Sequence, residues 1–289
     1  MNANVQEAEP ISAVDLRTVA PKAWAHRNPN FKTRNAEFTT RDGRYIRTGF
    51  STIEQGNHVP RHGHNFEQIR LIVDGQVNFG SATYGPGDCI YFPEGVEYGP
   101  TDAPDSSYTL YILQTNGSSG AAPLSRKQAE EAVERLTSGG IDVDASAGKV
   151  RWSDGRVQDS YTAAWEEIAG ETLTLPAPRY SDVIALKTSA IAWNDLSIAT
   201  GVQVQELATF GADGPSLKSF RLRPGATLPP SGAASSNRLF WVLDGQGRYG
   251  DNAVEPGWVI YEGPGSRQAQ PVEATSDLQI FTVEYSVKS

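Results

Sequence analysis

Two histidines one residue apart open an alternating run in the segment RHGHNFEQIRLIVDG, residues 61–75. Alternate side chains of a β-strand point to the same face, so His62, His64 and Gln68 would share one side. Two imidazoles in this relation can chelate one metal ion from a single strand, with an amide oxygen and a neighbouring strand supplying further ligands. The spacing indicates a metal site, and two surface histidines beside a turn are the alternative.

Short strands are predicted on both sides of this run. Runs such as RYIRTGFSTI, EQIRLIVDG and DCIYFP are rich in β-branched or aromatic residues and are bounded by Gly, Pro, Asp and Asn. SLKSFRLRP, RLFWVLDG and WVIYEG near the C-terminus have the same character. The chain is therefore predicted to be mainly all-β, with antiparallel sheets or small barrels.

An internal repeat indicates two copies of one domain. VDGQVNFG at residues 73–80 reappears as LDGQGRYG at 243–250, an offset of 243 − 73 = 170. The same offset carries Pro86-Gly87 onto Pro256-Gly257 and Gly95 onto Gly265. A match of this length without an insertion is typical of a duplicated domain.

The segment between the copies has helical spacing. Ser125 and Gln128 form a capping-box start, apolar residues follow at helical intervals, and Gly139-Gly140 is a stop signal. A second, shorter helix is predicted in DSYTAAWEEIAGE, ending at Gly170. Both helices are expected to pack outside the barrels.

The stretches GNHVPRHGHNFEQIRLIVDG and YGPGDCIYFPEGVEYGP resemble the two conserved motifs of the cupin superfamily. The matching positions are Gly56, His62, His64 and Gly75 in the first motif, and Gly87, Pro93 and Gly95 in the second. Gln68 stands where the family usually has Glu, and Tyr98 stands where the second motif has His. The resemblance implies a metal site in which two of the four usual ligands are replaced.

The resemblance also implies the architecture of a bicupin, two double-stranded β-helix (jelly-roll) barrels joined by a short helical linker. The predicted division is an N-terminal arm at 1–35, a metal-binding barrel at 36–120, the linker at 121–175 and a second barrel at 176–289. No histidine follows His64, so the second barrel is predicted to be degenerate and to serve structure or dimer formation. Its ligand positions hold Arg238 for Gln68 and Gln268 for Tyr98, and a pocket with Arg238 could still bind an anion.

The replaced ligands leave several roles open. Gln68 can offer an amide oxygen to a metal ion. Tyr98 is predicted as a fourth ligand or a proton donor, with simple packing as the alternative. Glu67 and Glu97 are replacement ligands if a bulge shifts the register of the strand.

Three further residues are considered near the predicted site. Arg70 is predicted to point inward and to orient a carboxylate or enolate of the substrate, or else to pair with a core Asp or Glu. His58 is expected near the barrel mouth, as a base or as an exposed rim residue. His26 is interpreted as a surface residue of the N-terminal arm, and the single cysteine, Cys89, as a buried apolar residue.

The composition of the chain restricts the classes of partner and the location that are expected. The net charge of −9 over 289 residues opposes nucleic acid or an anionic membrane as the main partner. The sequence has neither a signal-peptide pattern nor an apolar stretch of the roughly 20 residues that a membrane span needs. With one cysteine, the chain is expected to be cytoplasmic, and the resemblance to cupins implies a homodimer.

The resemblance implies a metal-dependent enzyme that acts on a small, anionic or chelating oxygenated substrate, an enol, carboxylate or phenol. The implied cofactor is one divalent transition metal ion, with Fe(II) favoured over Mn(II), Ni(II) and Zn(II). Dioxygenase-type oxidoreductase chemistry is the first expectation. A redox-neutral lyase, isomerase or cyclase is the second, and a non-catalytic bicupin that binds a small molecule is the third.

Overall fold

The computed structural model describes residues 11–27, 31–40, 42–79, 81–103, 106–212, 214–230, 236–264 and 269–286. Two compact units are built from these residues. The N-terminal barrel comprises the described residues of 20–37 and 45–185, and the C-terminal barrel those of 1–19, 38–44 and 186–289.

Strands dominate the first part of the chain. In order they are β1 (Ile11–Asp15), β2 (Lys22–Ala23), β3 (Phe31–Thr39), β4 (Tyr45–Ile53), β5 (His58–Val59), β6 (His62–Gly63), β7 (Phe66–Asp74), β8 (Val77–Phe79), β9 (Ala82–Tyr84), β10 (Cys89–Phe92), β11 (Glu97–Tyr98), β12 (Thr101–Asp102) and β13 (Tyr108–Asn116). A 3-10 turn, Leu16–Thr18, follows β1. The linker region then contains α1 (Arg126–Ser138), β14 (Asp142–Asp144), β15 (Lys149–Arg151), β16 (Val157–Asp159) and α2 (Ser160–Ala169).

The last part of the chain is again composed of strands. They are β17 (Ile184–Leu186), β18 (Asn194–Asp195), β19 (Val202–Thr209), β20 (Ser216–Leu222), β21 (Thr227–Leu228), β22 (Ser236–Asp244), β23 (Gly247–Tyr249), β24 (Asn252–Val254), β25 (Trp258–Glu262), β26 (Val272–Ala274) and β27 (Leu278–Ser286). A 3-10 turn at Thr188–Ala190 lies between β17 and β18. The predicted all-β class is confirmed.

In the N-terminal barrel a long antiparallel sheet has the order β17-β10-β7-β13-β4-β3-β2. A smaller sheet, β5-β12-β8-β9, and the pair β11-β6 complete it. Val77 of the smaller sheet belongs to the same buried cluster as Ile72 and Leu110 of the long sheet. The two sheets therefore enclose one core.

The C-terminal barrel repeats this plan with the sheets β1-β25-β22-β27-β20-β19-β18 and β21-β26-β23-β24. Gln68 is opposite Phe92 in the β7–β10 pair, and Arg238 is opposite Glu262 in the β22–β25 pair. Both residues of the second pair are 170 positions further along the chain (238 − 68 and 262 − 92). The repeat in the sequence is therefore a repeat in strand register.

The segment predicted as an N-terminal arm, residues 1–35, contributes strands to both barrels over its described residues. Strand β1 pairs with β25 of the C-terminal barrel, while β2 and β3 extend the long sheet of the N-terminal barrel. Strands β1 and β2 have five and two residues, too few for alternation to be recognised in a polar segment, so the sequence favoured an arm.

Both predicted helices are present and end at the predicted glycines. Ser125 caps α1 through a complete capping box with Gln128, and Gly139 closes it. Gly170 ends α2 in the left-handed conformation, with φ of 73°. The small sheet β14–β16 between them was not predicted. Neither helix is long and apolar enough to cross a membrane, nor is any other helix in the described ranges.

Replacing Ser125 with alanine is expected to destabilise the protein by about 1 kcal/mol, because the side chain accepts the Gln128 amide hydrogen that starts α1. Urea denaturation of this variant, with the Ser138→Ala variant at the other end of the helix as the matched control, measures the effect. Equal stability of the two variants would contradict the capping role.

Candidate metal and ligand site in the N-terminal barrel

A cavity of about 90 Å³ opens inside the N-terminal barrel. This volume exceeds the roughly 10–15 Å³ that a single water molecule requires, so a small organic molecule fits. Its wall contains five of the predicted site residues, namely His58, His62, His64, Gln68 and Arg70. These side chains meet at one wall, but not on the single strand that the alternation predicted. His58 lies on β5, His62 on β6, His64 between β6 and β7, and Gln68 and Arg70 on β7, and these three strands belong to different sheets.

The two central imidazoles are buried and neutral. The ring centroids of His62 and His64 are 4.9 Å apart, and the side chains are 7% and 6% exposed. Desolvation is the main cause that lowers the pKa of His62, and burial followed by the charge of His62 lowers that of His64. His62 Nδ1 lies 2.7 Å from the carbonyl oxygen of Pro60, which fixes the proton on Nδ1 and leaves the Nε2 lone pair available.

Tyr98 lies directly behind these histidines. It is opposite His62 in the β6–β11 pair, and its hydroxyl oxygen is 3.1 Å from His64 Nδ1. The ring is 2% exposed and packs against Phe92, with centroids 4.5 Å apart. Burial raises the pKa of Tyr98, so its hydroxyl carries a proton at neutral pH. It therefore supplies a buried hydroxyl beside His64.

Gln68 lies in a row of polar side chains that crosses three adjacent strands. Arg47 of β4 is opposite Gln114 of β13, and Gln114 is opposite Gln68 of β7. Gln114 Oε1 accepts from Arg47 Nε at 2.7 Å, and Gln114 Nε2 donates to Gln68 Oε1 at 2.6 Å. The Gln68 amide also lies 3.4 Å from the Tyr98 hydroxyl. Because Arg47 is buried, this row is a fixed part of the wall.

Arg70 competes with Gln114 for the oxygen of Gln68. Arg70 Nε and Nη2 lie 3.0 and 3.1 Å from the Gln68 amide on the side away from Gln114. Both neighbours offer donors, so the single amide oxygen can face only one of them. A carboxylate that accepted from Arg70 would leave the Gln68 oxygen to Gln114. The arginine is thus poised for an anion, and its guanidinium stacks on Phe92 at 4.6 Å.

The two glutamates considered as replacement ligands are not placed for that role. Glu97 is exposed and forms an ion pair with Arg61 at 3.4 Å. Phe66 and Gln68 line the cavity, so alternation turns Glu67 to the other face of β7. The register of β7 with β13 shifts only at Thr109/Leu110, and the bulge that would have turned Glu67 inward is absent beside Gln68.

His58 lies at the rim of the cavity. Its side chain is 59% exposed, and Nδ1 is 2.5 Å from Asp102 Oδ1. Strands β5 and β12 pair and place the two residues opposite each other. This geometry matches the exposed rim position that was one of its two expected environments.

The interpretation of His26 as a surface residue is wrong. It is 6% exposed and lines the cavity. Its ring lies 5.8 Å from Trp24 and 6.0 Å from Tyr161, and burial lowers its pKa well below the usual value. Strands β2 and β3 bring this segment onto the barrel, and β2, with only two residues, left no alternation in the sequence.

Helix α2 contributes to the site, although it was expected to pack outside the barrel. Tyr161 contacts His64 with ring centroids 5.2 Å apart, and its hydroxyl donates to Asn65 Oδ1 at 3.0 Å. Asp159, the N-cap of α2, accepts from Arg27 at 3.1 Å. An aromatic residue on the buried face of a predicted helix was the only signal available for this role.

The donor set fits a transition metal ion better than a hard cation. Metal ligands must be deprotonated, and both imidazoles are neutral. Imidazole nitrogen suits iron, nickel, copper and zinc, whereas magnesium and calcium require several carboxylate or carbonyl oxygens. No group of three or more His, Cys, Asp or Glu side chains that could hold a metal occurs in the part of the chain that is described. Two histidines can therefore anchor an ion, and further ligands must come from Gln68, Tyr98 or a bound molecule.

The equivalent place in the C-terminal barrel is closed by an ion pair. Arg238 donates to Glu262 Oε2 through Nη2 at 2.7 Å, and Tyr249 donates to Glu262 Oε1 at 2.8 Å. All three groups are buried, so the charge of Arg238 is already balanced. The anion pocket considered for Arg238 is therefore not formed. Gln268, predicted in place of Tyr98, lies outside the described residues.

Comparisons with known proteins identify the fold. Neither a protein-family model nor a curated protein matches the sequence. A solved structure from Nostoc punctiforme, named "putative dioxygenase", is similar with a TM-score of 0.62 and 14% identity, over 96% of this chain and 83% of its own. Oxalate decarboxylase from Lactobacillus farciminis, solved as a formate complex, has a TM-score of 0.60 and 10% identity, with 96% and 86% covered. Oxalate decarboxylase from Bacillus subtilis, studied for its Mn(II) centres, has a TM-score of 0.57 and 11% identity, with 96% and 78% covered.

These neighbours are cupin-type β-barrel proteins, so the chain has the cupin fold. At identities of 10–14% the likeness shows the fold alone.

Proposed function

We propose that the N-terminal barrel is the active site of a metal-dependent enzyme that acts on a small carboxylate or enolate. One observation carries the proposal. Two neutral, buried imidazoles share a cavity wall with Arg70, a guanidinium that has no carboxylate partner among the described residues. Imidazoles that remain neutral favour a metal ion, and an unbalanced guanidinium favours an anion beside it.

His62 and His64 would hold the ion, and Gln68 and Tyr98 are the proposed further ligands. The bound metal ion would supply Lewis-acid polarisation of a substrate oxygen. Arg70 would orient the substrate carboxylate through two parallel hydrogen bonds, which fixes its distance from the histidines. Tyr98 would hold a proton on its hydroxyl oxygen next to His64 Nδ1. Phe66 and Tyr161 would keep bulk water from this wall.

The first version of the reaction is an oxygen-dependent one with Fe(II), and Mn(II), Ni(II) and Zn(II) are the alternatives. The solved neighbours are named a "putative dioxygenase", an oxalate decarboxylase with Mn(II) centres and an oxalate decarboxylase in complex with formate. These names are consistent with small carboxylates near a metal ion. A redox-neutral lyase, isomerase or cyclase would use the same Lewis acid. A homodimer and a cytoplasmic location remain predictions.

Metal content and oxygen dependence test the proposal together. Plasma mass spectrometry of tag-free protein, purified and reconstituted with each of the four metals, should give close to one ion per chain. Turnover of short carboxylates and enols is then followed with and without O2. Turnover that is unchanged without O2 would remove the dioxygenase version, and the absence of metal after reconstitution would refute the enzyme proposal.

Replacing Arg70 with methionine is expected to weaken carboxylate binding about 30-fold, because a charge-assisted hydrogen-bond pair contributes about 2 kcal/mol. The Arg70→Lys variant keeps the charge but loses the fork geometry and should lie between wild type and methionine. Isothermal titration with oxalate and with formate measures both variants. Equal affinity of Arg70→Met and wild type would contradict the anion-binding role.

A non-catalytic binding protein is the second candidate. The observation in its favour is that no third His, Cys, Asp or Glu side chain completes a metal site with His62 and His64 in the described ranges. This candidate predicts that carboxylates still bind after both histidines are replaced by alanine, and that no product forms from any of them.

A further inference from the structure

The wall of the cavity changes from polar to apolar beside Arg70. Side chains of directly opposite residues in an antiparallel pair point to the same face, with Cβ atoms roughly 4.5–5.5 Å apart. Arg70 of β7 is opposite Ile112 of β13, and two residues further along β7 Ile72 is opposite Leu110. Ile112 and Leu110 both line the cavity together with Arg70. A small molecule that is held by Arg70 therefore lies next to apolar side chains.

This apolar part of the wall is incompletely covered by protein atoms. Ile112 is 7% exposed, whereas the other described buried members of its cluster are 0–4% exposed. Phe31 is only partly buried, packs against the same cluster and also lines the cavity. Because the removal of apolar surface from water is favourable, these side chains favour an apolar group on the ligand.

The other two arginines of the described cavity wall are already engaged. Arg27 donates to Asp159 Oδ2 at 3.1 Å. Arg47 donates to Gln114 Oε1 through Nε at 2.7 Å and to the carbonyl oxygen of Leu124 through Nη1. A second carboxylate on the ligand would lose its hydration without gaining an available guanidinium, which costs free energy. The wall is therefore suited to a ligand with one negative charge.

The volume of the cavity limits the apolar group to a short chain. The cavity measures about 90 Å³, whereas an apolar cavity that binds benzene measures about 150 Å³. A carboxylate beside Arg70 occupies part of the smaller volume. The remainder holds a few carbon atoms and excludes an aromatic ring.

We infer that the substrate is a monocarboxylate with a short alkyl chain, whose carboxylate meets Arg70 and whose chain lies against Ile112, Leu110 and Phe31. This inference rests on the proposed function, since it takes the anion site at Arg70 as given. It adds a specificity, because a dicarboxylate of the same length would place a second charge against these apolar side chains.

Isothermal titration of the metal-reconstituted protein with a series of acids tests the inference. Acetate, propionate and butyrate differ by one methylene group each, and succinate has the same number of carbon atoms as butyrate. The affinity should rise about 4-fold with each methylene group, which corresponds to about 0.8 kcal/mol for each buried CH₂. Butyrate should bind about 10-fold or more tightly than succinate, since the second carboxylate of succinate is left without a partner. This series decides the substrate class on the wild-type protein, without any variant.

The Ile112→Thr variant tests where the alkyl chain lies. In the C-terminal barrel the position 170 residues further on is Thr282, which is opposite Phe240 as Ile112 is opposite Arg70, so this strand position accommodates threonine. The variant should keep its affinity for acetate, while the ratio of butyrate to acetate affinity falls from about 16-fold to about 4-fold. Ile280→Thr, the same substitution at a buried position of β27, is the matched control and should keep the wild-type ratio.

Three outcomes contradict the inference, each in a different way. Equal affinity for acetate, propionate and butyrate, or succinate binding as tightly as butyrate, would overturn it and leave the anion site intact. A ratio of butyrate to acetate affinity that is unchanged in Ile112→Thr would overturn the placement of the chain against Ile112. Failure of all four acids to bind to the wild-type protein would refute the proposed function and the inference with it.

Discussion

Replacing both His62 and His64 with alanine is expected to reduce the bound metal to less than about a tenth of the wild-type content and to abolish turnover, since loss even of groups that only support a metal ligand weakens binding about 10–100-fold. No other histidine of the described residues can take over, because His58 is exposed at the rim and His26 lies against Trp24 and Tyr161. Plasma mass spectrometry after dialysis against the metal gives the content.

The matched control is His58→Ala, which removes an imidazole at the mouth of the same cavity and should leave the metal content unchanged. Circular dichroism separates loss of metal from loss of fold, since a folded double variant keeps the β-sheet spectrum of wild type. A double variant that retains stoichiometric metal would place the ion elsewhere and refute the two-histidine site. Metal lost from the His58→Ala variant as well would point to nonspecific binding at the rim.

The Tyr98→Phe variant, measured in the same experiment, distinguishes the two roles proposed for Tyr98. Phenylalanine at this position removes the hydroxyl that lies 3.1 Å from His64 and keeps the packing against Phe92. If Tyr98 is a ligand, the metal content falls. If it only holds a proton, the content is retained and turnover alone declines.

The sequence predicted those parts of the site that lie on one long strand or in a repeated motif. Alternation along β7 placed Gln68 and Arg70 on the cavity wall, and the 170-residue offset predicted the second barrel with its matching register. The capping signals of α1 and α2 were equally local. The alternation and the capping signals depend on neighbours within a few residues of one another, and the offset depends on the similarity of two short motifs. A pattern in the sequence therefore records each of them.

The residues that the sequence did not indicate reach the cavity through tertiary packing. His26 arrives on an edge segment next to a two-residue strand, and Tyr161 arrives on a linker helix. Arg238 was a candidate for binding an anion until the structure placed Glu262 of the adjacent strand opposite it. In each case the decisive contact is with a residue far away in the sequence. The periodicity of one segment does not predict which distant residues pack against it.

Buried histidines should make the metal-free protein sensitive to acid. The pKa of His62 is lowered to about 3, and those of His26 and His64 also lie well below the usual 6.5, with burial as the main cause for all three. Below pH 6.5 these histidines become protonated in the unfolded chain but stay neutral in the folded barrel. The free energy of unfolding is therefore highest above pH 6.5 and decreases as the pH falls toward the lowered pKa values of the folded state. At pH 5 the loss from His62 is about 2 kcal/mol, and His26 and His64 add to it in the same direction.

Urea denaturation of chelator-treated protein at pH 7, 6 and 5 measures this loss. The His26→Gln variant cannot titrate at this position, so its loss of stability between pH 7 and pH 5 should be smaller than that of wild type. His58→Gln, which replaces an exposed histidine at the rim of the same cavity, is the matched control. If His26→Gln and His58→Gln lose stability equally, His26 is not held neutral by burial. Metal restored to the wild-type protein should reduce the sensitivity over the same range, because an ion on His62 and His64 binds only the folded state and competes with protons there.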